Sequence, residues 1–227
     1  IRNRWYQGAP FLPSEIDEST LLTFKALFEK SANPESYLWH LREIYAASRD
    51  FRLLQMIPDA VLGRSPQQIY SYLNNLNSRI LSEVRNEATA DEILSIVKSL
   101  RAGERTATDL RALDLLEALV ERKSSEVLNQ PGPHVTACLA ALRRAFDRDW
   151  QPGEPRLMSD FLYQLGGISN AELAAEQLRE LKALQKLAPA PSRDHLYITN
   201  DLCNLLGWSY SKRDEAIQTM ELEVRDY

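Results

Sequence analysis

Helix start and stop signals recur along this chain at short intervals, and nothing between them alternates as a strand does. Serine, threonine or asparagine caps, prolines at first helical positions and glycines past helix ends divide the sequence into segments of about 15 residues. No segment combines period-two alternation with β-branched residues, so no sheet is predicted. A chain punctuated in this way is built to stack helices.

The segments read as follows. Asp17 to Lys30 carries Leu21, Phe24, Leu27 and Phe28 at helical spacing, and Asn33-Pro34 opens a helix to Arg49 with Tyr37, Leu41, Ile44 and Tyr45 on one face. A short apolar helix, Phe51 to Met56, stops before Pro58. Ser65-Pro66 opens the next, and Thr89 caps Ala90 to Ala102, which Gly103 ends. Thr106 or Thr108 caps a long helix to about Val127. Beyond a Pro/Gly break at Asn129 to Pro133, helices are predicted over 134–149, 155–165, 170–188, 193–206 and 211–224. Ser169 with Glu172 reads as a capping box, and Gly166-Gly167 and Gly207 as C-terminal caps.

Helix starts taken in alternate pairs step by 37 to 42 residues, near the period of HEAT and armadillo repeats. Any succession of helices of about 15 residues with loops of about 5 gives the same step, and no residue motif recurs from pair to pair. The expected fold class is therefore all-α. About ten helices stack as antiparallel hairpins, in an irregular helical bundle or a short α-solenoid with a HEAT-like period near 40. The helix from Asp109 spreads Ala112, Leu113, Leu115, Leu116, Leu119 and Val120 over an arc of about 160°, opposite Arg111, Asp114, Glu121 and Arg122. So wide an apolar face predicts neighbours on two sides.

Residues 1–16 differ from the rest: two prolines, a glycine and three aromatics predict an extended arm. The Pro/Gly break then divides the helices into an N-terminal subdomain, 17–130, and a C-terminal one, 131–227, or leaves them as one continuous domain. The chain begins at Ile1 rather than methionine, which predicts a processed or excised piece. Its longest apolar run, Ala137 to Leu142, is far short of the ~18 residues of a membrane span. Two isolated cysteines, Cys138 and Cys203, form neither a zinc site nor a C-x-x-C pair, and no N-x-S/T sequon is present. These features favour an intracellular setting, cytoplasm or nucleus, with an organelle matrix left open.

Recognisable catalytic signatures are missing from the sequence. His40, His134 and His195 lie in separate helical segments without an i, i+4 partner, and read as structural or surface residues. There is no Walker A motif, no G-x-G-x-x-G, no G-x-S-x-G and no H-E-x-x-H. The carboxylates sit among bases: Glu176 with Arg179, and Asp147 with Arg143 or Arg144, have spacings that stabilise a helix by roughly 0.2–0.5 kcal/mol each. No cofactor, metal or catalytic residue is expected.

Binding features remain. The arm presents Trp5, Tyr6, Phe11 and Leu12 as aromatic and apolar anchors for a groove, on a partner or on its own domain. Trp39 points about 200° away from Tyr37 on its helix, off the main apolar face. Arg143, Arg144 and Arg148 beside Trp150 form a basic, aromatic cluster, interleaved with Asp147 and Asp149. The segment from Thr199 to Arg213, with Cys203, Gly207, Leu202, Leu206 and Trp208, reads as a helix-turn-helix-like hairpin. Six acids against three bases in the last 27 residues oppose a role on DNA.

The expected function is a non-enzymatic protein–protein interaction domain, a scaffold or adaptor of a larger intracellular protein or complex, whose partner is another protein or a peptide segment. The alternative is a nucleic-acid-binding helical protein using the 143–150 arginines or the 199–224 hairpin, disfavoured by a net charge of -5.

Overall fold

The computed structural model describes residues 62–79, 84, 86–128 and 131–225, together with the isolated positions 19, 22, 23, 26 and 30. These residues form an all-α bundle of eight interacting helices with antiparallel packing. In chain order they are α1 (Pro66–Arg79), α2 (Glu87–Leu100), α3 (Ala107–Val127), α4 (Pro131–Phe146), α5 (Glu154–Gln164), α6 (Ala171–Leu187), α7 (Arg193–Asn204) and α8 (Arg213–Arg225). A π-helical turn, Leu205–Ser209, follows α7 directly.

Side chains at the helix entries supply acceptors for the orphan backbone donors. Of the two caps the sequence offers at α3, Thr106 is the one used, and it makes a reciprocal capping box with Asp109. The other Asp109 carboxylate oxygen accepts the Gly63 N–H at 2.7 Å and so ties the segment before α1 to α3. Ser192 accepts from the His195 N–H to start α7. Three predicted starts shift. Asn86 rather than Thr89 caps α2: its carboxamide oxygen takes both the Thr89 N–H and the Thr89 hydroxyl. Asn170 rather than Ser169 caps α6, accepting from Glu172 and Leu173. Helix α4 starts at Pro131, three residues before His134, because prolines cost nothing where N–H groups are orphaned anyway.

The core is one cluster that runs from Ile69 in α1 to Leu206 after α7. Helix α3 lies at its centre, against α1, α2 and α4, with α4 its most extensive neighbour. The apolar arc predicted on α3 is buried, as are Arg111, Asp114 and Glu121 on the opposite, polar arc. Helix α5 joins α1 to α6 and α7, and α8 packs on α7 and the π-turn at the end of the stack. No described helix is long and apolar enough to cross a membrane.

Candidate interaction surface

Trp5, Tyr6, Phe11, Leu12 and Trp39, the anchors expected from the sequence, lie outside the described residues, as does His40. Arg143, Arg144, Arg148 and Trp150 are described, and each is engaged within the fold. Arg144 reaches back to α3, with Nε 3.2 Å from Asp114 and Nη2 2.7 Å from Glu117. Arg148 Nη2 stands 2.6 Å from the other Asp114 oxygen. Arg101, just past α2, closes the network on Asp114 at 2.8 Å and on Glu117 at 2.5 Å. Arg143 pairs with Glu176 of α6 at 3.1 Å, beside Arg179. The Glu176–Arg179 pair is thus present as expected. Arg143 and Arg144 instead take partners on other helices, not Asp147 on their own. Interhelical pairs of this kind fix how α2 and α4 sit against α3 and how α6 sits against α4.

A second polar group lies deeper. Arg111 is fully buried on α3, and its Nη1 is 2.5 Å from Glu154 at the start of α5. Those two atoms form an ion pair without an aligned hydrogen bond. The rest of the guanidinium donates to the carbonyls of Ala145 (2.8 Å), Arg148 (2.7 Å) and Asp149 (3.1 Å). Its face stacks on Trp150, 3.8 Å from the ring centroid, and Trp150 meets Phe146 edge-on. Glu154 accepts in turn from the Gln151 N–H at 3.0 Å. Tyr70 packs beside this pair, and burial pushes its hydroxyl well above the ordinary phenolic value. Arg111 and Glu154 are themselves sealed from water, and the pair acts as an internal strut.

Two histidines are structural, as the sequence predicts. His195 is buried, with Nδ1 3.0 Å from the Ala188 carbonyl. His134 bridges helices: Nδ1 is 2.7 Å from Glu121 of α3, and Nε2 is 3.5 Å from Glu87 of α2. Burial opposes its charge, but the Glu121 and Glu87 carboxylates outweigh that and raise its pKa above the usual value. Cys138 and Cys203 are buried thiols that form no disulfide, and burial pushes the Cys138 thiol up to about 12. No group of three or more His, Cys, Asp or Glu among the described residues could hold a metal ion.

What faces outward is at the C-terminal end. The π-turn buries Leu205 and Leu206 and leaves Trp208 82% exposed. Its wide turn closes with Tyr210 N–H to the Leu205 carbonyl at 3.1 Å and Lys212 N–H to Leu206 at 2.8 Å. The Tyr210 hydroxyl accepts from the Ile168 N–H at 3.2 Å and donates to Gln177. Gln177 itself donates to the carbonyls of Leu162 and Gly166. A Cβ on Gly167 would come 3.1 Å from the Ser209 side chain, so the loop after α5 lies directly against the turn. Gly207 does not have the left-handed backbone expected of a C-terminal cap: Gly166 at φ 69° and Ser211 at φ 57° take that conformation instead. Trp208 is thus held outward on a backbone anchored from three directions.

No protein-family model, no curated protein and no solved structure matches this chain. Its surface must therefore be read from its own chemistry. Helix α8, which packs on the π-turn, exposes Ile217, Met220 and Leu222. At the α6–α7 turn, Leu187, Leu196 and Tyr197 are exposed, with Arg156 stacked on Tyr197 at 4.4 Å. Exposed large apolar side chains offer anchors for association. The sequence reading missed this, because Leu202, Leu206 and Trp208 look like one apolar set until the π-turn separates the last of them.

Proposed function

We propose that this chain is a non-enzymatic protein–protein interaction domain, a scaffold or adaptor module within a larger intracellular protein or complex. The observation that carries the reading is Trp208, 82% exposed on a π-turn anchored by hydrogen bonds and packed against α8. Tryptophan is enriched at binding hot spots, and a fixed backbone lowers the ordering cost of docking it. Burying its ring against a partner removes about 200 Å² from water, about 5 kcal/mol of transfer free energy before the costs of association. Two buried thiols that form no disulfide fit a reducing compartment. From the punctuation before residue 62, we extend the hairpin stack to about ten helices for the whole chain. Nucleic-acid binding has less support, since Arg144 and Arg148 are neutralised by Asp114 and Glu117.

Affinity capture with the intact chain, with Trp208→Ala and with Trp5→Ala plus Tyr6→Ala tests the reading. Partners lost with Trp208→Ala support it. Partners lost only with the arm variant move the anchor to the arm. Turnover of a substrate, abolished by a surface carboxylate or histidine variant, would refute the non-enzymatic assignment.

A further inference from the structure

Helix α8 is held to the bundle without burying a side chain over most of its length. From Arg213 to Leu222 none of its residues is buried, whereas each of α1 to α7 buries three or more. Most helical stability in a protein comes from packing an apolar face, and an isolated helix of about this length is marginal in water. Ile217 and Met220 are exposed and add little to its hold. What remains is a small set of contacts on α7, the π-turn and α6. A Cβ built at Gly207 would lie 3.8 Å from the Ala216 methyl, an ordinary contact. The Ala216 carbonyl accepts from the Cys203 thiol at 3.5 Å. Glu215 pairs with Lys182 of α6 at 2.7 Å and with Lys212 at 3.6 Å. All three charged side chains are more than a third exposed, where ion pairs are weak and screened by salt.

The connection to α7 is built differently. Tyr210 is pinned to Ile168 and Gln177, and the Lys212 N–H closes on the Leu206 carbonyl. Between them Ser211 has φ 57°, the one non-glycine residue among those described with a left-handed backbone. A Cβ disfavours that conformation, and undocking α8 relieves it. A firm anchor, a strained link and a weakly held helix thus follow one another along the chain.

The two cysteines report on this arrangement. Cys203 lies on α7, 9% exposed, with Ala216 against its thiol. Ala216 is near the start of α8, so fraying from the far end leaves Cys203 covered. Only departure of the whole helix uncovers it. Cys138 donates to the Ala118 carbonyl across the α3–α4 interface, in the core of the bundle. We propose that α8 is a releasable strap: it leaves the bundle as a unit about Ser211 while the other helices stay packed, and so gates access to the Cys203 thiol. The inference stands apart from the interaction reading above.

The test is alkylation of the full chain by N-ethylmaleimide under native conditions. Each cysteine is followed by peptide mass spectrometry, and each rate is divided by that of the same thiol in denaturant. Local openings lie well below global unfolding in free energy, so Cys203 labels about a hundredfold or more faster than Cys138. Ala216→Gln, which sets a long side chain against Gly207, speeds Cys203 by about tenfold. Lys182→Glu, which repels Glu215, speeds it by about threefold. Neither variant changes the Cys138 rate. Raising salt from ~50 mM to ~1 M speeds Cys203 in the parent chain, and the effect shrinks in Lys182→Glu. Hydrogen exchange of amides near the start of α8 follows the Cys203 rate across these variants, ahead of amides in α3 and α4.

Equal normalised rates for the two thiols would mean that Cys203 is uncovered only by global unfolding, and overturn the strap. Fast Cys203 labelling that neither variant alters would mean that the reagent reaches the thiol without α8 moving, which also overturns it. So does a parallel rise in the Cys138 rate in both variants, since α8 would then belong to the cooperative core.

Discussion

Replacing Arg111 with methionine should bring this protein to the edge of unfolding. The substitution leaves Glu154, itself fully buried, as a charge without its counter-ion. Removing one partner of a buried ion pair costs about 3–5 kcal/mol. Three carbonyls, of Ala145, Arg148 and Asp149, also lose a charged donor. Arg148 and Asp149 are near the surface, where water can replace it, so we count only the Ala145 bond, at about 1.5 kcal/mol. The expected loss is about 5 kcal/mol, against a typical total stability of about 5–15 kcal/mol. Adding Glu154→Leu removes the stranded charge and should restore about 3 kcal/mol, since apolar replacements of buried pairs are often neutral. The Gln151 N–H and the Ala145 carbonyl remain unpaired, so recovery is partial. Urea titration followed by circular dichroism at 222 nm measures all four corners of the cycle. A loss below about 1 kcal/mol for Arg111→Met, or a double variant no more stable than the single, would refute the assignment of Arg111 as a strut.

Two further results follow from local geometry. His134 has a folded pKa above its unfolded value of about 6.5. Its contribution to stability is therefore full below about pH 6.5 and is lost as pH rises through the folded value. Urea midpoints should fall across that window in the parent chain, and the slope should flatten in His134→Gln; an unchanged slope would show that Glu121 and Glu87 do not stabilise the imidazolium. Gly167→Ala forces a Cβ to 3.1 Å from the Ser209 side chain and 3.3 Å from its carbonyl, for a loss of about 1–3 kcal/mol. Gly207→Ala meets only an ordinary 3.8 Å contact with Ala216, and thermal melts should show it near neutral. Melting temperatures in the reverse order would mean that the loop after α5 does not press on the π-turn.

The helical architecture was legible because its determinants are local. The threonine cap of α3, Pro66 and the wide apolar arc of α3 each carry their meaning within a turn or two. Where two capping residues stand close together, as at Ser169-Asn170, sequence alone does not choose between them. The partners of the polar arc of α3 were not legible for a different reason. Arg111 finds Glu154 43 residues later, and Asp114 finds Arg144 and Arg148 30 and 34 residues later. Helical spacing rules see only residues three or four apart. The sequence shows the arginine cluster, but its partners across the helix interface were beyond reach. Trp208 was hidden by the π-turn, whose extra residue per turn leaves no compositional mark.

The matching of α3 has a consequence for the order in which the chain is made. Synthesis delivers α3 with Arg101 already behind it, while Arg144, Arg148 and Glu154 are still to come. A nascent chain that ends near residue 130 carries the middle helix of the bundle with Arg111 lacking its counter-ion and the surface that α4 covers still open. Helix α3 therefore cannot settle from the N-terminal side alone. Its final packing waits for α4 and the entry to α5, so any truncation before Glu154 should yield a sticky fragment rather than a smaller folded protein.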